Sequence, residues 1–281
     1  MMIRTRWSVG FAALIMLTSS WRLGQADAIE SPTVASAVNV ASAAAHASTP
    51  AASDSLHVPD GARAVELHSR IVTRDATDKR VALTLDACAG LYDAELIDFL
   101  IAQRIPATIF ATKQWLDHNP TGRAVLRAHP DLFDIENHGE HHIPAVIGKG
   151  RKVYGIAGAP DVLHLRREVE NGAQAVEDIT GEPSRWYRAA TARYDEDAVE
   201  EIQRLGYRIA GFSVNADAGA TLPQAEITAR LKHVQAGDII LAHMNKPRSQ
   251  TAEGLRPGLL ALQQRGFVFV HLNDVAVQTT P

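Results

Sequence analysis

The sequence predicts an α/β domain, either an open doubly wound sheet or a barrel short of the usual eight strands. Three observations point there. From Ala62 onward, short apolar runs alternate with longer amphipathic stretches, the pattern of βα units. Seven strand-like runs alternate with six helix-like ones. Nearly every strand-like run also ends on a polar side chain, and in both architectures the carboxyl ends of the strands carry the chemistry.

In chain order, "VALTLDA" (81–87) is the first strand, and the helical "DAELIDFLIAQR" follows it. "ATIFATK" precedes a helix around "TGRAVLRAH". "DLFDIENHG" leads through a glycine-bearing loop to the long helical run "DVLHLRREVENGAQAVEDI". "RWYRAAT" is paired with "DEDAVEEIQRLG", and "RIAGFSVNA" with "PQAEITARLKHV". "DIILAHM" is paired with "EGLRPGLLALQQRG", and "FVFVHLNDV" closes the chain. The strand-end residues are Asp86, then Thr112 and Lys113, Asn137 and His138, Arg188, Asn215 and Asp217, and His243. Carboxylate, imidazoles and guanidinium thus gather on one rim. A purely structural domain would scatter them over both ends.

The chain is 281 residues long, 46% hydrophobic and 21% charged, which is enough for one large domain. Its 28 basic and 32 acidic residues leave a formal charge of -4. No global field draws it to nucleic acid or to an anionic membrane surface. At the start, Arg4 and Arg6 precede "VGFAALIML", and "ADA" offers a cleavage-like spacing. Residues 1–28 are therefore expected to be a secretory signal peptide, since the apolar run is about half of the ~20 residues a bilayer span needs. Residues 29–61 are rich in Ala, Ser, Thr and Pro without aromatic residues. They predict a disordered linker before a catalytic domain at 62–281. Localisation is then periplasmic or extracellular, with no stable membrane insertion after signal removal. The lone Cys88 fits an exported chain without disulfides and is expected to be a small buried hydrophobe.

Within "NHGEHHIP", His138 and His142 stand four apart. They can share one face of a helical turn, a spacing that suits two nitrogens on one divalent metal. Asp86 lies seven residues before Asp93, too far to cap the helix starting there. Arg188 sits among aromatic and small residues and needs a carboxylate partner, for which Asp86 is the natural choice. His243 arrives on a buried run, either as a reactive imidazole or as a satisfied core histidine.

In this order the residues resemble the polysaccharide deacetylases of the NodB homology type, carbohydrate esterase family 4. Thr84, Leu85 and Asp86 match the start of that family's Thr-Phe-Asp-Asp-Gly motif. The stretch from His138 to His142 is similar to its His-Ser/Thr-x-x-His motif, with Gly139 at the small hydroxyl position. Arg188 matches its arginine motif, "FSVN" its aromatic-x-x-Asp motif, and Leu241 to His243 its Leu-x-His motif.

The resemblance implies an irregular (β/α) barrel of about seven strands. It also implies metal-dependent removal of acetyl groups, N-acetyl over O-acetyl, from a polysaccharide or glycan. Asp86 would be the general base, and Arg188 would orient it. His243 would be the general acid, and His138 and His142 would hold a divalent metal, zinc above others, with Asp86 as a further ligand. This chain is a variant: the second motif-one aspartate falls on Ala87, the glycine position on Cys88, and the aspartate that supports the catalytic histidine on Asn215. A third metal ligand could then come from Asp86, Asp93, Glu140 or Cys88, and support for His243 from Asn215 or Asp217. The alternatives are an amidase acting on a small-molecule amide, or a degenerate carbohydrate-binding domain without catalysis.

Overall fold

The computed structural model describes residues 63–75 and 77–280. The expected signal peptide and the linker lie outside the described residues, which fall within one compact unit, 55–281. Among the described residues, no helix is long and apolar enough to cross a membrane.

Two short strands, β1 (Val65–Glu66) and β2 (His68–Ile71), lead to the central strand β3 (Arg80–Ala87). Helix α1 (Ala94–Gln103) follows, then β4 (Ala107–Ala111), α2 (Lys113–His118), α3 (Pro120–Ala128) and β5 (Phe133–Asn137). A small hairpin, β6 (Lys152–Val153) and β7 (Ile156–Ala157), precedes the long helix α4 (Val162–Thr180). Then come β8 (Trp186–Tyr187), β9 (Arg193–Tyr194), α5 (Glu196–Arg204), β10 (Arg208–Ile209) and β11 (Val214–Asn215). The chain closes with α6 (Gln224–Lys232), β12 (Ile239–His243), α7 (Thr251–Gln264), β13 (Val268–Phe269) and β14 (Val277–Thr280).

Seven parallel strands run in the order β10-β8-β5-β4-β3-β12-β11, and β13 pairs with the start of β3. The result is the curled half-barrel that the resemblance implied. The fifth expected strand is in fact two, β10 and β11, at opposite edges of the sheet. Only residues 210–213 separate them, so this short crossing brings the edges to within about 18 Å of each other. A second departure is α2, absent from the expected pattern. It exists because the Thr112 hydroxyl caps it, accepting from Trp115 N at 3.0 Å.

Period-two alternation along β3 divides the core. Val81, Leu83, Leu85 and Ala87 face a layer under the helices, with Leu96, Leu100, Leu255 and Leu259. Ala82 faces the inner cluster of Phe110, Trp186, Phe212 and Leu241, so Thr84 and Asp86 share that inner side. β3 is buried along almost its whole length, as a parallel strand covered on both faces must be. Register then aligns the carboxyl ends: Asp86 pairs with His243, Ala87 with Ala111, Ala111 with Asn137, and Asn137 with Tyr187.

Candidate active site

Alignment of these strand ends places Asp86 and His243 side by side, with His138 and Arg188 one residue beyond their paired strands. Arg188 is fully buried, and all three nitrogens of its guanidinium donate hydrogen bonds. Nη1 donates to Thr84 Oγ1 at 2.9 Å and to Asp86 Oδ1 at 2.8 Å. Nε and Nη2 donate to the carbonyls of Ala210 and Gly211, each at 3.1 Å, and the group stacks 4.2 Å from the Phe110 ring centre. Thr84 Oγ1 in turn donates to Ile240 O at 2.8 Å. The pairing expected between Arg188 and Asp86 is therefore present. Burial by itself pushes the Asp86 carboxyl up, but the charge of Arg188, followed by His138 and His243, outweighs it and holds the pKa below 3.8. Asp86 is ionised at neutral pH.

His243 is no merely satisfied core histidine, because its side chain keeps 13% exposure and lines a cavity of about 630 Å³ with Asp86, Cys88 and His142. Its Nδ1–H donates to Asp217 Oδ1 at 2.9 Å, and its backbone N–H to Asp217 Oδ2 at 2.9 Å. Thr251 Oγ1 adds a third bond to Asp217 at 3.0 Å. Asn215 is occupied elsewhere, accepting from Ala218 N at 2.8 Å. Asp217 is thus the partner of His243. Burial opposes the imidazolium, but hydrogen bonds to Asp217 and Cys88 and their charges raise its pKa well above 6.5.

The His138 to His142 segment is not a helical turn. It is a loop in which Gly139 has φ +87° and His142 φ +63°. The reason lies in α4. The buried carboxylate of Glu168 accepts from His141 N at 3.0 Å and Ile143 N at 3.1 Å, and the loop wraps around it. Asn137 fastens the entry: its Oδ1 accepts from Gly139 N at 2.8 Å, and its Nδ2 donates to Val169 O at 2.8 Å. The two imidazoles still meet, with ring centres 5.0 Å apart. Backbone curvature around an acceptor, rather than helical spacing, brings them together.

His138 is fully buried. Its Nδ1 lies 2.6 Å from the Arg188 carbonyl, which can only accept, so Nδ1 carries the proton and Nε2 faces the site. Cys88 Sγ lies 3.4 Å from that Nε2, and Asp86 Oδ2 lies 3.6 Å from it. Cys88 is therefore part of the site rather than an inert core hydrophobe. Burial raises its thiol pKa, but His138, aided by His142 and His243, brings it well below 9.0. The ligand atoms of Cys88, His138 and His142 lie within 4.8 Å of one another; so do those of Asp86, Cys88 and His243. Two side chains favoured as anions around an imidazole nitrogen create a place for a cation, and the donor set suits a divalent transition metal.

Two of the possible third ligands, Asp93 and Glu140, and the strand-end Lys113 take structural duties. Asp93 caps α1 through Leu96 N at 3.0 Å. Glu140 accepts from Asn171 at 2.7 Å, and Lys113 pairs with Asp117 at the surface. Ala87 lies in the helix-side layer. Sequence reading missed the role of Glu168, and it offered Cys88 only as one of four possible third ligands beside its reading as a buried hydrophobe. Cys88 carried a signal in its spacing, two residues after Asp86 and directly past the end of β3.

Comparison with known proteins gives one family and one fold. A sequence model described as polysaccharide deacetylase matches residues 73–210. No curated protein sequence matches the chain. Among solved structures, a carbohydrate esterase family 4 pseudoenzyme from Bacillus anthracis superposes with a TM-score of 0.57 at 17% identity. The match covers 72% of this chain and 66% of that one, just under two thirds of its length. PdaA of Bacillus subtilis, a family 4 carbohydrate esterase, gives 0.57 at 22% identity, covering 72% of this chain and 82% of that one. A peptidoglycan N-acetylglucosamine deacetylase gives 0.60 at 18% identity, covering 74% and 91%. At such identities these likenesses establish the fold.

Proposed function

Because residues 73–210 belong to the polysaccharide deacetylase family, we propose that this chain is an exported, metal-dependent hydrolase. It removes acetyl groups, from nitrogen in preference to oxygen, from a polysaccharide or glycan. The observation that carries this is the facing of two oriented pairs, Arg188 with Asp86 and Asp217 with His243, across one cavity. A carbohydrate-binding domain without catalysis has no use for a buried, ionised carboxylate beside a buried imidazolium, each with its own positioning partner.

His138, His142 and a third donor would hold the metal, for which zinc is the choice that imidazole-rich sites favour. A divalent ion there supplies Lewis acidity to an acyl carbonyl and to a water nucleophile. The side chains perform the proton movements. Asp86, kept anionic by Arg188, takes the proton of the attacking water. His243, kept cationic by Asp217, gives its Nε2 proton to the departing amine as the carbon–nitrogen bond breaks. That cation meets the requirement of N-acetyl cleavage, since an amine leaves only when protonated. The similarity to a peptidoglycan N-acetylglucosamine deacetylase supports an envelope glycan as substrate.

Acetate release from chitin oligosaccharides, peptidoglycan and acetylated xylan by the zinc-loaded chain tests the proposal. Release from an amino-sugar polymer, lost in Asp86→Asn, is expected. Absence of acetate from all three, with turnover of small cyclic amides instead, would transfer the chain to the amidases.

A further inference from the structure

We propose that Cys88 is the third protein ligand of the metal, so that the centre is built from two imidazoles and one thiolate. This rests on the metal-hydrolase assignment above. Strand alternation explains how it arises. Asp86 faces the inside of the barrel and Ala87 the helix layer, so the next residue returns to the inner side. A carboxylate at position 87 would point away from the histidines; the sulfur at position 88 points at them. Sγ is 3.4 Å from His138 Nε2 and within 4.8 Å of the ligand nitrogen of His142.

The surroundings hold this arrangement in place. The Arg188 carbonyl fixes the His138 ring so that Nε2 is the coordinating nitrogen. Thr112 N donates to the Ala87 carbonyl at 3.1 Å before the sulfur, and the Thr112 hydroxyl and Asn245 Nδ2 donate to the Cys88 and Ala89 carbonyls after it, anchoring the main chain on either side. Asn245 Oδ1, on a residue 4% exposed that lines the same cavity, has no hydrogen-bond partner among the described residues. It is left as an acceptor for something the cavity receives. Of the other carboxylates, Asp93 caps α1 and Glu140 meets Asn171, while Asp86 holds Arg188 with Oδ1 and turns only Oδ2 toward His138, 3.6 Å from Nε2 against 3.4 Å for the sulfur. A thiolate in place of a carboxylate makes the centre softer and shifts its selectivity toward zinc and cobalt over magnesium and manganese.

The test is cobalt(II) loading of the purified chain, with alkylation of Cys88 by iodoacetamide in the presence and absence of zinc. Cys88 is the only cysteine in the sequence, so any thiolate-to-cobalt charge-transfer absorption belongs to it. Expected are a strong near-ultraviolet charge-transfer band at one cobalt per chain and protection of the thiol by zinc. Cys88→Ala should abolish the band and weaken zinc binding by more than the roughly 10–100-fold that loss of an outer-shell partner costs. Cys88→Asp should bind cobalt without the band. Cobalt bound by the native chain with no charge-transfer band would overturn the thiolate ligand while leaving the metal-hydrolase assignment standing. An S-acetyl adduct on Cys88 after incubation with substrate would make it a nucleophile paired with His243 and overturn it as well. No cobalt bound under any condition would overturn both.

Discussion

Replacing Gly172 in α4 by alanine separates two contributions of opposite sign. In an isolated helix, alanine is favoured over glycine by about 1 kcal/mol, so propensity alone predicts stabilisation. A Cβ at position 172, however, would lie 2.3 Å from Asn137 Oδ1, 2.6 Å from the carbonyl carbon of Gly139 and 2.7 Å from its Cα. Ordinary contact begins near 3.4 Å, so the loop must retreat from the helix by roughly 0.8 Å, against a close-packed interior. Overpacking of this kind costs about 1–3 kcal/mol. The net effect is destabilisation of up to about 2 kcal/mol, a fall in Tm of up to roughly 4–8 °C for a domain of this size. The larger effect falls on the site, because that loop carries His138 and His142 and is hung on Asn137 and Glu168. A displacement approaching 1 Å reduces turnover by about 100-fold. The assays are thermal unfolding and acetate release on zinc-loaded protein. A Gly172→Ala protein with raised Tm and activity within about twofold of the native chain would refute the account of how the histidines are held.

Three further outcomes follow from the same geometry. Arg188→Met leaves the Asp86 carboxylate buried without its counter-charge, so urea unfolding should show a loss of about 3–5 kcal/mol. The acid limb of the kcat/KM profile should also move upward as the Asp86 pKa rises, and an unmoved limb would remove Arg188 from control of the base. Asp217→Asn keeps an acceptor for the His243 backbone but removes the charge that sustains its imidazolium. The basic limb should then shift to lower pH and kcat should fall by roughly 10²–10⁴-fold, whereas a preserved basic limb would show that Asp217 does not set it. Glu136 provides a stability measurement away from catalysis. Burial raises its pKa above 4.5, despite hydrogen bonds from Trp186 N, Asn273 and Arg185 N. Between 4.5 and the raised value the folded state binds more protons than the unfolded one. This contribution is therefore fully present below 4.5 and is lost as pH rises through the raised folded value. Glu136→Gln should flatten that part of the Tm profile, and parallel native and variant profiles would contradict it.

How far the sequence revealed the molecule follows from which interactions are local. Asp86, Arg188 and His243 were legible because a parallel sheet delivers the carboxyl ends of its strands to one rim, and those ends are marked by apolar runs. Cys88 was legible only as one of several possible ligands, because its small apolar neighbours also fit a buried hydrophobe, although alternation places it with Asp86. The shape of the histidine loop was not legible. It depends on Glu168, which comes from the helix after the loop and whose carboxylate substitutes for the helical hydrogen bonds that the spacing implied. The choice between Asn215 and Asp217 depended on which side chain reached the end of β12, a matter of register between β11 and β12. Splitting of the 208–216 run was likewise invisible, since both halves are apolar and only closure of the sheet separates them.

Arg188 has a wider consequence. Its side chain touches β3, β4 and the crossing at Ala210 and Gly211, while its own carbonyl orients His138. Opening any of these segments alone would strand a guanidinium or a carboxylate in a dry interior, at a cost of about 3–5 kcal/mol. The reactive groups are accordingly expected to exchange slowly, which amide hydrogen exchange would check. Adaptation to different substrates is left to the outer cavity wall, where Tyr154 and Lys246 can vary without disturbing that joint.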